Sequence, residues 1–335
     1  MLWLLAFENF LTYLRLHKGR SMRTVEQYEF HIWRFFCFLE PKLIEEVSSH
    51  KDLWLDIVEE KRMENRTQRK MLMSKYTFCV EDIKKDDIDE FRLNLSKENL
   101  AIKSINAHII TFRSWFKYLK KEGINCIDPT SLDLIRPGER EVTFLTNEEI
   151  ERFFESIDQE SLRWKRDYAI SQCIYSTGLR ISELTALDKK DINLDTQEFA
   201  IRGKWNKIRV VYLTEWATSA IRLYLESRHD DFNPLFIRHN YNEENIGSIH
   251  LSDENVRLTR FFITNMVKEY GLRAGILKNM HAHTLRHSFA TTLLTNWADI
   301  RIIQELLGHA SITTTQVYTH VTNPKLKEAH QKYHH

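Results

Sequence analysis

The chain has 335 residues, 42% of them hydrophobic, with only 9 glycines and 5 prolines. That length supports two ordinary domains with buried cores, and the scarcity of glycine and proline points to helices joined by short loops. A net charge of +1 excludes a uniformly basic nucleic-acid surface, and no run approaches the ~20 apolar residues that span a bilayer.

The opening MLWLLAF lacks a basic start and meets Glu8 too soon for a signal peptide. From Ser21, the residues Val25, Tyr28, Ile32, Phe35, Phe36 and Leu39 recur at helical spacing, with Pro41 beyond the end. Residues 59–75 are polar and charge-mixed, and read as a solvated helix or extended connection. IKKDDIDEFRLNL and AIKSINAHIITFRSWFKYLKKEG predict two more helices, the second closed by Lys120, Lys121 and Gly123. Residues 1–136 therefore read as an all-helical domain. Cys37, Cys79, Cys126 and Cys173 lie far apart beside apolar or aromatic residues, which predicts reduced core thiols in a cytoplasmic protein.

Pro129, Pro137 and Gly138 break the pattern, and the linker is placed at 137–145. Thr146 with Glu149 is a capping box that starts a new helix. EFAIR and IRVVYL are short β-rich runs around the turn GKWNK, which predicts a hairpin. Further helices follow, so residues 146–335 read as a mostly helical domain with a small sheet. Splitting the chain at 140 gives 24 basic and 22 acidic residues before it, and 24 and 25 after. Any basic surface must be local.

Several residues in the second domain carry possible chemistry. The hairpin tip holds Lys204 and Lys207, which by themselves are ordinary solubilising charges. In YSTGLRISEL, Arg180 follows Gly178 at a turn that can aim the guanidinium inward, with Glu183 available to orient it. HAHTLRHSFATTLL places His281, His283, Arg286 and His287 ahead of an apolar helix. The four-residue spacing of His283 and His287 invites zinc, but Arg286 repels a cation and no carboxylate stands between them. Arginine with histidine suits an anion instead. His309 follows Gly308, and Tyr318 follows three threonines that read as an exposed turn. Two arginines can hold phosphodiester oxygens, a tyrosine can attack phosphorus, and a histidine and a lysine can move the protons. This chemistry requires no cofactor, neither metal nor ATP.

TGLRISEL, GKWNK, HTLRHSFATTLL and LLGHASITTTQVYTH resemble, in order and spacing, the motifs of the tyrosine site-specific recombinases, nearest to the Xer group. The resemblance covers most of residues 146–335. It implies that Arg180, Lys204, His283, Arg286 and His309 are catalytic, and that Tyr318 is the nucleophile of a 3′-phosphotyrosine intermediate. The helices of residues 1–136 are similar, more loosely, to the family's core-binding domain. The fold the resemblance implies is a mostly α, two-domain DNA clamp whose carboxyl-terminal α+β domain is catalytic. Its partner would be double-stranded DNA with an inverted-repeat site, bound by four subunits on two sites and licensed by an accessory regulator. Xer proteins resolve chromosome dimers; integrases of mobile elements share the same residues. A catalytically idle regulator is disfavoured by the complete residue set. A topoisomerase acting alone is disfavoured by the tail THVTNPKLKEAHQKYHH, which reads as a partner-docking helix. Two departures stand out: Trp205 where a small turn residue is usual, and Trp297 where a helix-ending glycine is common.

Overall fold

The computed structural model describes residues 3–40, 79–136, 138, 143–158, 160–202, 208–239, 252–309, 311 and 315. Two units divide the chain, Met1–Arg140 and Glu141–His335. The stretch 59–75, the hairpin tip and the tail beyond Thr315 lie outside the described residues.

In the first unit the opening apolar run folds as α1 (Trp3–Leu16). Trp3, Phe7, Phe10 and Leu14 recur every three or four residues, and all are buried. Ser21 caps α2 (Met22–Leu39), its hydroxyl accepting from the Thr24 amide at 3.4 Å. Helices α3 (Lys85–Lys97) and α4 (Ile102–Lys121) complete the bundle. Gly123 lies just past α4 at φ +76°, which glycine adopts without steric cost. The core is aromatic: Trp3 meets Phe36 at 3.9 Å between ring centroids, and Phe35 meets Phe112 at 4.9 Å. His31 and His108 are buried in it, 4.0 Å apart, with His31 Nδ1 2.8 Å from the Thr111 hydroxyl.

The second unit starts with α5 (Asn147–Glu155), whose capping box forms as its spacing predicts: the Thr146 amide donates to Glu149 at 2.8 Å. Helix α6 (Leu162–Thr177) is buried on nearly every side and packs against α8 (Glu215–Glu226) and α11 (Ala282–Thr295). Between α6 and α8 come the short helix α7 (Ile181–Leu184) and strands β1 (Glu198–Arg202) and β2 (Ile208–Tyr212). The strands pair antiparallel, from Glu198 opposite Tyr212 to Arg202 opposite Ile208. The remaining helices are α9 (Asp253–Val256), α10 (Arg260–Arg273) and α12 (Ile300–Leu307). Twelve α-helices and one two-stranded sheet among the described residues make the fold mostly α.

Two expectations change. All four cysteines are unbridged, but only Cys173 is a true core thiol. Cys37 and Cys126 are half-buried at the edge of the helical core, and Cys79 is half-buried as well. Trp297, past the end of α11, takes the left-handed turn at φ +65° that a glycine would take. No helix among the described residues is long and apolar enough to cross a membrane.

Candidate active site

Helix α6 ends on Gly178, left-handed at φ +61°. A Cβ at this position would lie 2.6 Å from the Phe289 ring and 2.9 Å from Leu307, so only glycine fits the turn. Its carbonyl accepts from Nη1 of Arg286, a buried arginine of α11. Two residues later Arg180 caps α7. Its backbone amide donates to Glu183 Oε2 and its Nη1 to Glu183 Oε1, both at 2.9 Å. The turn does aim Arg180 inward.

Glu183 also receives a second guanidinium. Arg209 of β2 donates from Nη1 to Oε1 at 3.0 Å and from Nη2 to Oε2 at 2.8 Å. Burial pushes the Glu183 carboxyl up, but the Arg209 fork, the Arg180 amide and both positive charges outweigh it and hold the group at about 2. It is a carboxylate at any working pH.

Helix α12 ends on Gly308, also left-handed at φ +61°. The last carbonyls of a helix have no partner within it and carry the negative end of its dipole. Here the arginines supply the partners: Leu307 O accepts from Arg286 Nη2 at 2.7 Å, and Gly308 O from Arg180 Nη2 at 3.2 Å. Both arginines thus converge on one helix end. His309 follows directly. Its Nε2 lies 3.1 Å from Arg286 Nη2, and its Nδ1 lies 3.0 Å from the Thr315 hydroxyl. Arginine can only donate, so Nε2 accepts and Nδ1–H donates to Thr315. Burial, followed by the charges of Arg286 and Arg180, lowers His309 to about 4, so the imidazole is neutral. Thr315 is fully buried and is a partner of His309, unlike the exposed residue expected at this position, while Thr313 and Thr314 lie outside the described residues.

On α11, His281 caps the helix, its Nδ1 accepting from the Thr284 amide at 3.2 Å. The His283 ring lies 6.2 Å from that of His281 and 6.3 Å from that of His287. Desolvation, with the charges of Arg286, His281 and Arg180, lowers the His283 value. Burial, then His283 and Arg286, lowers His287 to about 4. Arg180, His283, Arg286 and His309 therefore share one electrostatic neighbourhood. Lys204 and Tyr318 lie outside the described residues, as do Trp205 and Lys207.

Arg209 and Thr315 were not singled out from sequence. Alternation in IRVVY offered a signal for Arg209: it shares a strand face with the buried Val211, while Ile208, Val210 and Tyr212 face out.

Residues 143–324 match the phage integrase family. A tyrosine recombinase XerD of Oceanobacillus iheyensis is 32% identical over 98% of this chain and 98% of its own. The chain belongs to the phage integrase family. A tyrosine recombinase XerC of Thermodesulfovibrio yellowstonii is also 32% identical, over 97% of this chain and 95% of its own. These family members bear out the motif resemblance, and with it the reading of an enzyme, a tyrosine recombinase, that cleaves and rejoins DNA. Among solved structures, a XerH site-specific recombinase bound to palindromic difH substrate after cleavage shares the fold. It has a TM-score of 0.65 and 23% identity over 99% of this chain and 96% of that one. A lambda integrase dimer bound to a core site has a TM-score of 0.64 and 14% identity, over 94% and 97%.

Proposed function

We propose that this recombinase joins and separates paired DNA sites, as in the resolution of chromosome dimers, by cutting each strand with Tyr318. The observation that carries the reading is the convergence of Arg180, Arg286 and the neutral His309 on the end of α12. Tyr318 follows His309 by nine residues in the chain. Two guanidinium groups there suit the non-bridging oxygens of a scissile phosphodiester and offset charge growing on them.

Tyr318 gives its phenolic proton to His283, which its surroundings keep in the neutral, accepting form. The phenolic oxygen bonds to phosphorus, and the bond to the 5′ oxygen breaks with its electron pair. That oxygen takes a proton from Lys204, leaving a 3′-phosphotyrosine and a 5′-hydroxyl. Attack by the 5′-hydroxyl of the partner site reverses these steps and exchanges the strands. The ester preserves the linkage, so neither ATP nor a metal enters.

Similarity to XerD and XerC relatives over nearly the whole chain supports the chromosomal role. The working unit is four cytoplasmic subunits on two inverted-repeat sites, with residues 324–335 docking on a neighbour and an accessory protein licensing exchange. Tyr318→Phe tests the reading, since it removes only the phenol oxygen. On a nicked suicide substrate the variant should form no covalent complex while binding DNA within about threefold of wild type. A detergent-resistant adduct from the Phe variant would remove Tyr318 from the mechanism.

A further inference from the structure

Arg209 is a charged group of this neighbourhood to which the proposed chemistry gives no part. It is the second residue of β2, just past the hairpin tip, and opposite Ile201 in the sheet register. Its side chain is 13% exposed, against 27% for Arg180. Both its Nη atoms fork onto Glu183, and its Nε is buried without a hydrogen bond among the described residues. It is also wedged under the turn that ends α12. A Cβ at Gly308 would stand 3.0 Å from Arg209 Nη1 and 3.1 Å from its Cδ, so the missing side chain makes the room.

The charges explain what this arrangement achieves. Arg180 and Arg209 share Glu183 Oε1, at 2.9 and 3.0 Å. The trio carries two positive charges and one negative, leaving a net charge of +1. Without Arg209, the carboxylate would be left to Arg180 alone, and the pair offered to a phosphate would be neutral. A half-buried ion pair also holds its arginine more tightly than a solvated one, because little water screens it. Glu183 would then compete with DNA for Arg180.

We propose that Arg209 is a positioning residue for DNA cleavage: by neutralising Glu183 it leaves Arg180 a net cation for the scissile phosphate. Its wedge under Gly308 also ties β2, which continues from the lysine-bearing tip, to the turn that presents His309. The inference rests on the reading of Arg180 as a phosphate-gripping group.

The test uses the full chain on a suicide substrate, with single-turnover cleavage read at saturating protein and DNA affinity and thermal melting measured alongside. Arg209→Met keeps an unbranched chain under Gly308 and removes the charge. It should cleave about 100-fold more slowly with affinity within about threefold of wild type. Adding Glu183→Gln removes the competing carboxylate, so the double variant should recover at least about tenfold over Arg209→Met. All rates are taken well below the measured melting points, so global unfolding does not enter the rate per bound complex. Recovery in the double variant separates the charge effect from lost packing under Gly308. If Arg209→Met does not melt cooperatively, Arg209→Gln, which keeps an amide donor without charge, is read in the same way. Cleavage by the single variant within about threefold of wild type, or no recovery in the double variant, overturns the proposal. Arg180→Ala separates the two readings. If it cleaves at the wild-type rate, the phosphate assignment falls and this inference with it. If it is inactive while Arg209→Met is fully active, only the role of Arg209 falls.

Discussion

At the scale of single residues, the tautomer of His309 is fixed by two neighbours. Arg286 Nη2 faces Nε2 at 3.1 Å, and the Thr315 hydroxyl faces Nδ1 at 3.0 Å, so the tautomer is set from both sides. Thr315→Val keeps the shape and removes the acceptor, leaving a buried N–H without a partner at a cost of about 1–3 kcal/mol. The ring can escape by moving its proton to Nε2, which then opposes the Arg286 donor. We expect suicide-substrate cleavage to fall about tenfold with DNA affinity unchanged, and nitrogen chemical shifts to report a changed tautomer mixture. Cleavage at the wild-type rate would show that Thr315 does not govern this imidazole. His309 could be singled out from sequence by its place in LLGHA, nine residues before Tyr318, and by the motif resemblance. Thr315 could not, because nothing local distinguishes a threonine buried against a histidine six positions back from one in an exposed turn.

Among the elements, the active neighbourhood is assembled by helix ends. Helices α6 and α12 both stop on left-handed glycines, and the carbonyls at those ends are the acceptors that fix Arg180 and Arg286. Gly178→Ala places a methyl 2.6 Å from the Phe289 ring at a φ that L-residues avoid. The two penalties together should cost at least about 2 kcal/mol in denaturant unfolding. Rotation of the Gly178 carbonyl away from Arg286 should also slow cleavage in whatever fraction stays folded. An alanine variant as stable and active as wild type would mean that the turn relaxes freely. Trp297 shows the opposite choice: the chain accepts the left-handed strain at the end of α11.

Legibility at this scale tracked the kind of signal. Helices α2 and α4 have one apolar face and clear ends, so period and caps found them. Helix α6 is buried at every position from Ala169 to Ile174, Ser171 and Gln172 included, so no exposed face marks its period. Helix α1 hid in an apolar run that composition could only exclude as a leader.

Across the whole molecule, each unit draws its core from its own residues. Trp3 through Leu132 supply the cluster of the first unit, while Leu145 through Leu285 and the smaller cluster from Ala290 to Leu307 supply the second. Residues 141–335 expressed alone should therefore melt in a single cooperative transition at pH 7.5. Acid should weaken that fragment in a defined window. His239, His287 and His309 each stand at about 4 rather than the ordinary 6.5, with burial the leading cause in all three. A base whose folded value is lowered binds its proton more readily when unfolded, so unfolding takes up protons between these two values. The stability these neutral imidazoles contribute is fully present above about 6.5, drains as pH falls, and is gone near 4. Their partial contact with water discounts the effect, yet three such groups should lower the melting temperature by at least about 5 °C between pH 7 and pH 5. Replacing His287 with Gln should flatten part of that slope, since it removes one titrating group while keeping a polar side chain. A melting temperature that holds steady or rises on acidification to pH 5 would mean that these imidazoles are already charged in the folded unit. His309 could not then accept from Arg286, and the neutral site at the end of α12 would not exist.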